Sequence, residues 1–271
     1  MLQVYGNGIL YDGTYYVAPA TVSLADNADN STTISGANGY FADVTLQGRT
    51  LYKDGKWNTL CLPFDVTLAG SALNGATARP LTAASISGTT LNLTFGDAVT
   101  TLVAGIPYII KWTKADGYDQ ASEDARDIKN PVFNGVTIDA TDRSYDNDES
   151  GEEQVRFLGT YKSTTFDGMD NSILLMGGNN TLYYAGSGAG LGAQHAYFKI
   201  GENGAMLTRQ LTDFSIDFGE DDETTGIIST TNHTNYTNSA DAWYSIDGRK
   251  LDSKPTRSGV YVNNGRKVVI K

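Results

Sequence analysis

Residues Leu51–Val66 read LYKDGKWNTLCLPFDV, and the fold turns on how this stretch is read. Strand formers stand on both sides of Asp54-Gly55, a dipeptide suited to the positive-φ positions of a tight hairpin turn. Trp57–Leu62 is apolar or neutral at every position, which predicts a central strand covered on both faces. Pro63 ends it, because proline has no N–H to give to a ladder. Just upstream, Phe41, Asp43, Thr45 and Gln47 alternate with Ala42, Val44 and Leu46. That is a strand with one apolar face. The expectation is a hairpin that runs along Tyr40–Leu51, turns at Asp54-Gly55 and returns through Trp57–Leu62.

Outward from this hairpin the chain keeps the same character. Short strands separated by Gly and Pro turns are expected over residues 1–24. Further strands are expected at Val66–Leu68, Ala78–Ile86 and Thr89–Phe95, the last two joined through Ser87-Gly88. Ile106–Trp112 (IPYIIKW) reads as another buried strand, followed by Pro131–Ile138, Val155–Tyr161, Ile173–Met176, Thr181–Ala185, Ala196–Ile200 and Asp213–Phe218. One short helix is signalled, capped by Asp29 or Asn30 and running through Ile34. Polar, acidic Asp116–Asn130 is a loop or a short helix around Ser122–Ile128. Frequent turn signals without a solenoid repeat indicate an all-β protein, an antiparallel β-sandwich that is jelly-roll-like in the broad sense, over residues 1–218. A polar linker follows at 219–240. A small β module closes the chain at 241–271, with strands Trp243–Ile246, Gly259–Val262 and Lys267–Ile270 and turns at Asp247-Gly248 and Asn264-Gly265. So short a module has little core of its own.

Composition narrows the function classes. The 271 residues are 40% hydrophobic and carry a net charge of −11, enough apolar content for a core and the wrong sign for nucleic acid. No run of 18 apolar residues is present, so no membrane insertion by a helix is expected, and a monomer is expected. The single cysteine, Cys61, allows no internal disulfide and reads as a small buried hydrophobe between Leu60 and Leu62. Two histidines, His195 and His233, give little support to a Cys–His nucleophile pair.

Four patterns were weighed for chemistry. Asp146-Asn147-Asp148-Glu149-Ser150-Gly151 resembles the first half of a calcium loop, with Asp146, Asp148 and Ser150 as ligands. However, Phe157 stands where a bidentate Glu is wanted, and a solvated acidic loop is the plainer reading. Gly186–Gly192 (GSGAGLG) lacks the βαβ context of a dinucleotide fingerprint and reads as a mobile hairpin loop. Carboxylates are plentiful but none stands out as a pair, so no enzyme is expected. Aromatic platforms for sugar rings are available in Trp57, Trp112, Trp243, Tyr15, Tyr16, Tyr183 and Tyr184. Of these, Trp57 and Trp112 read as core, and one of Tyr183 and Tyr184 must face water.

Gly48–Phe64 (GRTLYKDGKWNTLCLPF) resembles a segment that recurs in large secreted or cell-surface proteins of Bacteroides- and Prevotella-type bacteria, with GIPYIIKW, HAYFKI and Thr225-Gly226-Ile227 as further landmarks. WYSIDGRK at Trp243–Lys250, then GVYV at Gly259–Val262 and the run from Lys267, is similar to the C-terminal sorting domain of Bacteroidetes secreted proteins. The resemblance implies export, display or release at the outer-membrane surface, and no catalytic residue. The opening run MLQVYGNGILYDG has no charged segment leading into an apolar one, so the chain is expected to be a truncated piece of a longer exported protein. The expected role is a non-enzymatic module for adhesion, or a structural accessory to a larger protein. A carbohydrate-binding module is the first alternative and a glycan-processing hydrolase the second, the latter needing two carboxylates about 5–10 Å apart. The expected partner is a host or dietary glycan or a surface protein.

Overall fold

The structure is a computed structural model, and it describes residues 2–5, 8–11, 14–15, 19–119, 124–166, 170–177, 180–186, 188–201, 211–220, 243–245, 250–251, 256, 259–263 and 266–270. The chain divides into two compact units, Met1–Ser229 and Thr230–Lys271. Most of the expected linker, residues 221–240, lies outside the described residues, as do Tyr16, Ser187 and the turns at 247–248 and 264–265.

The first unit is all-β and sandwich-like. Its middle layer is a five-stranded sheet. In hydrogen-bonded order the strands are Asp213–Asp217, Thr90–Phe95, Ala76–Ser87, Pro107–Trp112 and Asn58–Cys61. All pairings are antiparallel except the outermost, where Asp213–Asp217 runs parallel to Thr90–Phe95. Strand alternation sends side chains to opposite faces, and this sheet buries both. Leu60, Tyr108, Ile110 and Trp112 face a core shared with a three-stranded sheet (Ala20–Ala25, Phe41–Gln47, Val132–Thr137) and with helix Ser31–Gly36. Ile109, Leu91, Leu93 and Phe95 face a second core against a five-stranded outer sheet, ordered Tyr145–Asp146, Val155–Thr160, His195–Ile200, Asp170–Gly177 and Thr181–Ala185.

Several expectations are met in detail. Ala42, Val44 and Leu46 are buried, the 78–95 hairpin turns at Gly88 with φ +63, and both Trp57 and Trp112 are core residues. The helix forms at Ser31–Gly36 with Asn30 at its N-cap position, but the Asn30 side chain makes no cap bond. Instead it donates to the carbonyls of Ala25 and Tyr161 at 2.9 and 3.1 Å, tying two layers together. Of the two readings of Asp116–Asn130, loop or short helix, the described residues follow the loop: 125–127 turn, and Ile128–Lys129 pairs with Thr50–Leu51.

The Asp54-Gly55 hairpin does not form. The turn exists, with Gly55 at φ +81, but the chain uses it to change layers. Thr50–Leu51 pairs with Ile128–Lys129, and Asn58–Cys61 pairs with Pro107–Ile110. Distant side chains take the backbone donors that a hairpin would need. The Lys53 N–H donates to Asp127 Oδ1 at 2.9 Å and the Trp57 N–H to Asn180 Oδ1 at 2.8 Å. Asn58–Cys61 is also not central in hydrogen-bond order: it is an edge strand, covered on both faces. Its free edge is filled by other groups. The Cys61 N–H donates to the Gln194 carbonyl at 3.1 Å, and the buried Arg49 guanidinium donates to the Thr59 carbonyl at 3.0 Å.

In the second unit, Lys250–Leu251, Trp243–Ser245, Gly259–Asn263 and Arg266–Ile270 form a four-stranded antiparallel sheet in that order. Among the described residues no helix is long and apolar enough to cross a membrane.

Candidate functional site

The layer-changing turn opens a cleft on the first unit. It is about 280 Å³ in volume and lined by Tyr52, Asp54 and Lys56 from the turn, and by Trp57, Asn58 and Thr59 from the edge strand. The outer sheet supplies Leu175–Gly177, Tyr183, His195 and Ala196, and the glycine-rich stretch supplies Gly190 and Leu191. The turn is held rigidly. Asp54 Oδ1 accepts the Lys56 N–H at 3.0 Å, Asn58 Nδ2 donates to the Lys56 carbonyl at 3.2 Å, and Tyr118 donates to the same Asp127 oxygen that holds Lys53. A side chain at Gly55 would run into Lys114, so glycine is needed there for space as well as for conformation.

Two aromatic rings stand in the open at this cleft. Tyr52 is 39% exposed and Tyr183 is 45% exposed. Tyr183 lies over Gly177, where an added methyl would stand 3.1 Å from the ring. Its neighbour Tyr184 turns inward and donates to the Leu211 carbonyl at 3.0 Å, so the expected split of this pair across the strand is observed. Trp57 is only 3% exposed. Its ring stacks on Phe218 at 5.8 Å, and Lys111 Nζ lies 4.7 Å from its centroid while also bonding Glu220 at 2.6 Å. Trp57 is therefore a fixed wall.

Beside the cleft lies a polar group that sequence reasoning missed, with Arg49 buried and Asp26 and His195 half-buried. His195 Nε2 is 3.7 Å and Arg49 Nη1 is 3.8 Å from Asp26 Oδ1. Burial, with the Arg49 charge added, pushes the His195 pKa well below the usual imidazole value, so it is neutral at pH 7. Burial raises the Asp26 carboxyl, opposed in part by Arg49. Desolvation brings the Arg49 guanidinium down to about 10, which leaves it charged. Adjacent Gln194 is fully buried at φ +59, and both atoms of its side-chain amide lack a hydrogen-bond partner. Residues 26, 49 and 195 are far apart in sequence and sit in unremarkable local patterns. Only the exposed tyrosine had a sequence signal, the strand alternation at 183–184.

The other expected positions fall elsewhere. Asp146 ends a short strand, and its carboxylate accepts the Asp148 N–H and the Gln154 amide, both at 3.0 Å. Asp148 takes φ +58, and Ser150 precedes a 3₁₀ turn. The loop's own bonds use part of the acceptor capacity of the Asp146 carboxylate, and among the described residues no three His, Cys, Asp or Glu side chains converge as metal ligands. Gly190-Leu191 of the glycine-rich stretch pairs with Thr164-Thr165, and Gly192 lies flush against the Asp26 carboxylate. Cys61 is buried and free, with Sγ 3.7 Å from the Tyr161 hydroxyl. Burial pushes its thiol up to about 12, which makes it inert as a nucleophile.

A second hollow of about 410 Å³ lies between Asp65–Ala72 and Val132–Val136. No aromatic ring is exposed in it, and Asp65 and Ser71 are engaged by backbone groups of Ala104, Leu68 and Leu73. Comparison of the chain with protein-family models, with curated proteins and with solved structures gave no match.

Proposed function

We propose that the chain is a non-catalytic, carbohydrate-binding module that serves adhesion as part of a larger secreted or cell-surface protein. The observation that carries this reading is the clustering of exposed rings. The large hydrophobic side chains exposed among the described residues are Tyr52, Val103, Val132 and Tyr183, and both aromatic ones border the same cleft. Two exposed rings gathered at one concave site, rather than scattered singly, mark a surface that a ligand can cover. Sugars fit such a site because their C–H faces pack on flat rings while their hydroxyls need donors and acceptors. Here Asn58, Lys56 and His195 border the cleft and supply polar groups. The volume, about 280 Å³, falls just below the usual range for small-molecule sites, about 300–1,000 Å³, which suits one or two sugar units at a chain end or branch.

Affinity electrophoresis through gels containing xylan, galactomannan or mucin tests the reading. The protein should be retarded in at least one gel, and Tyr52→Ala or Tyr183→Ala should reduce the retardation tenfold or more. Free migration in every gel, together with a blank glycan array, overturns it. The role assigned to residues 241–271 is display. Their deletion in an exporting host should move the protein away from the cell surface, and unchanged localisation would remove that part of the proposal.

A further inference from the structure

The half-buried Asp26–Arg49–His195 group beside the cleft extends the sugar-binding reading, and the following rests on that reading. Asp26 Oδ1 is enclosed and accepts no hydrogen bond. Its surroundings hold it in place: the Asp26 N–H donates to the Gln47 carbonyl at 2.8 Å, its own carbonyl accepts the Ala193 N–H at 2.7 Å, and Gly192 packs flush on the carboxylate. Arg49 Nη1 stands 3.8 Å from it as an ion-pair partner, outside hydrogen-bond reach, while Arg49 Nη2 donates to the Thr59 carbonyl at 3.0 Å. The second nearby donor is His195 Nε2 at 3.7 Å, on a side chain that retains 23% of its accessible surface and borders the cleft.

We propose that His195 is the specificity-determining residue of the cleft, with its Nε2–H turned to Asp26 and its Nδ1 offered to the ligand as a hydrogen-bond acceptor. Asp26 is the positioning residue that selects this tautomer. A buried carboxylate oxygen with no donor is costly, so the Nε2–H tautomer is favoured over Nδ1–H. A neutral imidazole in that tautomer has one free lone pair and no free proton. It accepts from a sugar hydroxyl and gives nothing to an ether or a fluorine at the same place, which is the kind of contact that discriminates strongly. The 3.7 Å gap to Asp26 exceeds hydrogen-bond reach, so Asp26 biases the tautomer through the attraction of its charge for the Nε2–H dipole.

The chain has two histidines, so a His233→Asn variant leaves His195 as the sole imidazole. Its long-range ¹H–¹⁵N spectrum at neutral pH, without ligand, should show the neutral Nε2–H form, with Asp26→Asn losing that preference. An Nδ1–H form or an imidazolium in the protein with Asp26 intact overturns the pairing. In the xylan, galactomannan and mucin gels, His195→Ala should lose at least tenfold in retardation and Asp26→Asn severalfold, each run at a temperature where the variant is fully folded. Retardation of His195→Ala equal to the parent overturns the specificity role even if the Tyr52 and Tyr183 variants fail to bind. If the parent itself runs free in all gels, the sugar reading and the specificity role fall together, while the spectrum decides the Asp26–His195 pairing on its own.

Discussion

Cys61 shows how a single side chain can be fixed by a neighbour's lack of one. Gly159 on the facing sheet leaves room for the thiol: a methyl there would overlap Cys61 Sγ and stand 2.9 Å from its Cβ. Cys61→Ala should cost about 1–2 kcal/mol in urea unfolding, by loss of buried volume, and the native thiol should resist a disulfide reagent until the protein unfolds. Gly159→Ala should cost about 1–3 kcal/mol by overpacking. Because the two side chains compete for one space, the double variant should be more stable than the sum of the single losses predicts. A strictly additive result would show that the backbone, not the thiol, resists the methyl. At His195 the pKa shift sets a pH dependence. Its folded value is lowered by burial and then by Arg49, so below about pH 6.5 the unfolded chain takes up a proton that the folded chain refuses. Stability therefore falls as pH drops through that window. Asp26, raised by burial, acts in the opposite sense, but at lower pH, above its ordinary value near 3.8. His195→Gln should lose less stability than the parent between about pH 7.5 and about pH 5.5, measured by urea unfolding. The buriedness of Cys61 was legible from its apolar neighbours. The Asp26–Arg49–His195 group was not, because it is assembled by pairings between layers that no local pattern encodes.

Among the elements, Asn58–Cys61 was legible as a buried strand because burial follows from composition. Its place at a sheet edge was not legible, because edges depend on which strands pair. Asp54-Gly55 misled for a related reason: the dipeptide specifies a turn, while the partner of the returning strand is decided by Asp127 and Asn180 far away. The 78–95 hairpin was read correctly since its two strands are joined by two residues and compete with nothing else. The segment after Asp213–Asp217 illustrates a contact of the same long-range kind. Phe218 is stacked between Trp57 and Phe95, at 5.8 and 6.0 Å, and Glu220 holds Lys111 over the indole. Phe218→Ala should cost about 2–3 kcal/mol, less than a fully enclosed phenylalanine, and should shift tryptophan emission to the red as Trp57 meets water. Unchanged emission would mean that the outer sheet alone shields the indole.

At the scale of the molecule, the all-β class was legible from turn spacing and alternation, whereas the stacking of three sheets was not. Alternating strands announce which residues are buried but not how many layers bury them. Deleting Thr230–Lys271 should leave the main unfolding transition within about 2 °C, as expected of a separately clustered unit, and a larger drop would show the two units to be one cooperative fold. The parallel pairing of Asp213–Asp217 with Thr90–Phe95 has a consequence for synthesis. Thr212 and Thr89, whose hydroxyls bond at the start of this ladder, are 123 residues apart. A chain emerging from the ribosome makes its hairpin early and then waits for the strand that completes the edge. Throughout that interval Thr90–Phe95 presents open backbone groups beside Leu91, Leu93 and Phe95, the kind of segment that pairs with other chains. Nascent chains arrested before residue 213 should therefore aggregate or recruit chaperones, and those released beyond residue 217 should not.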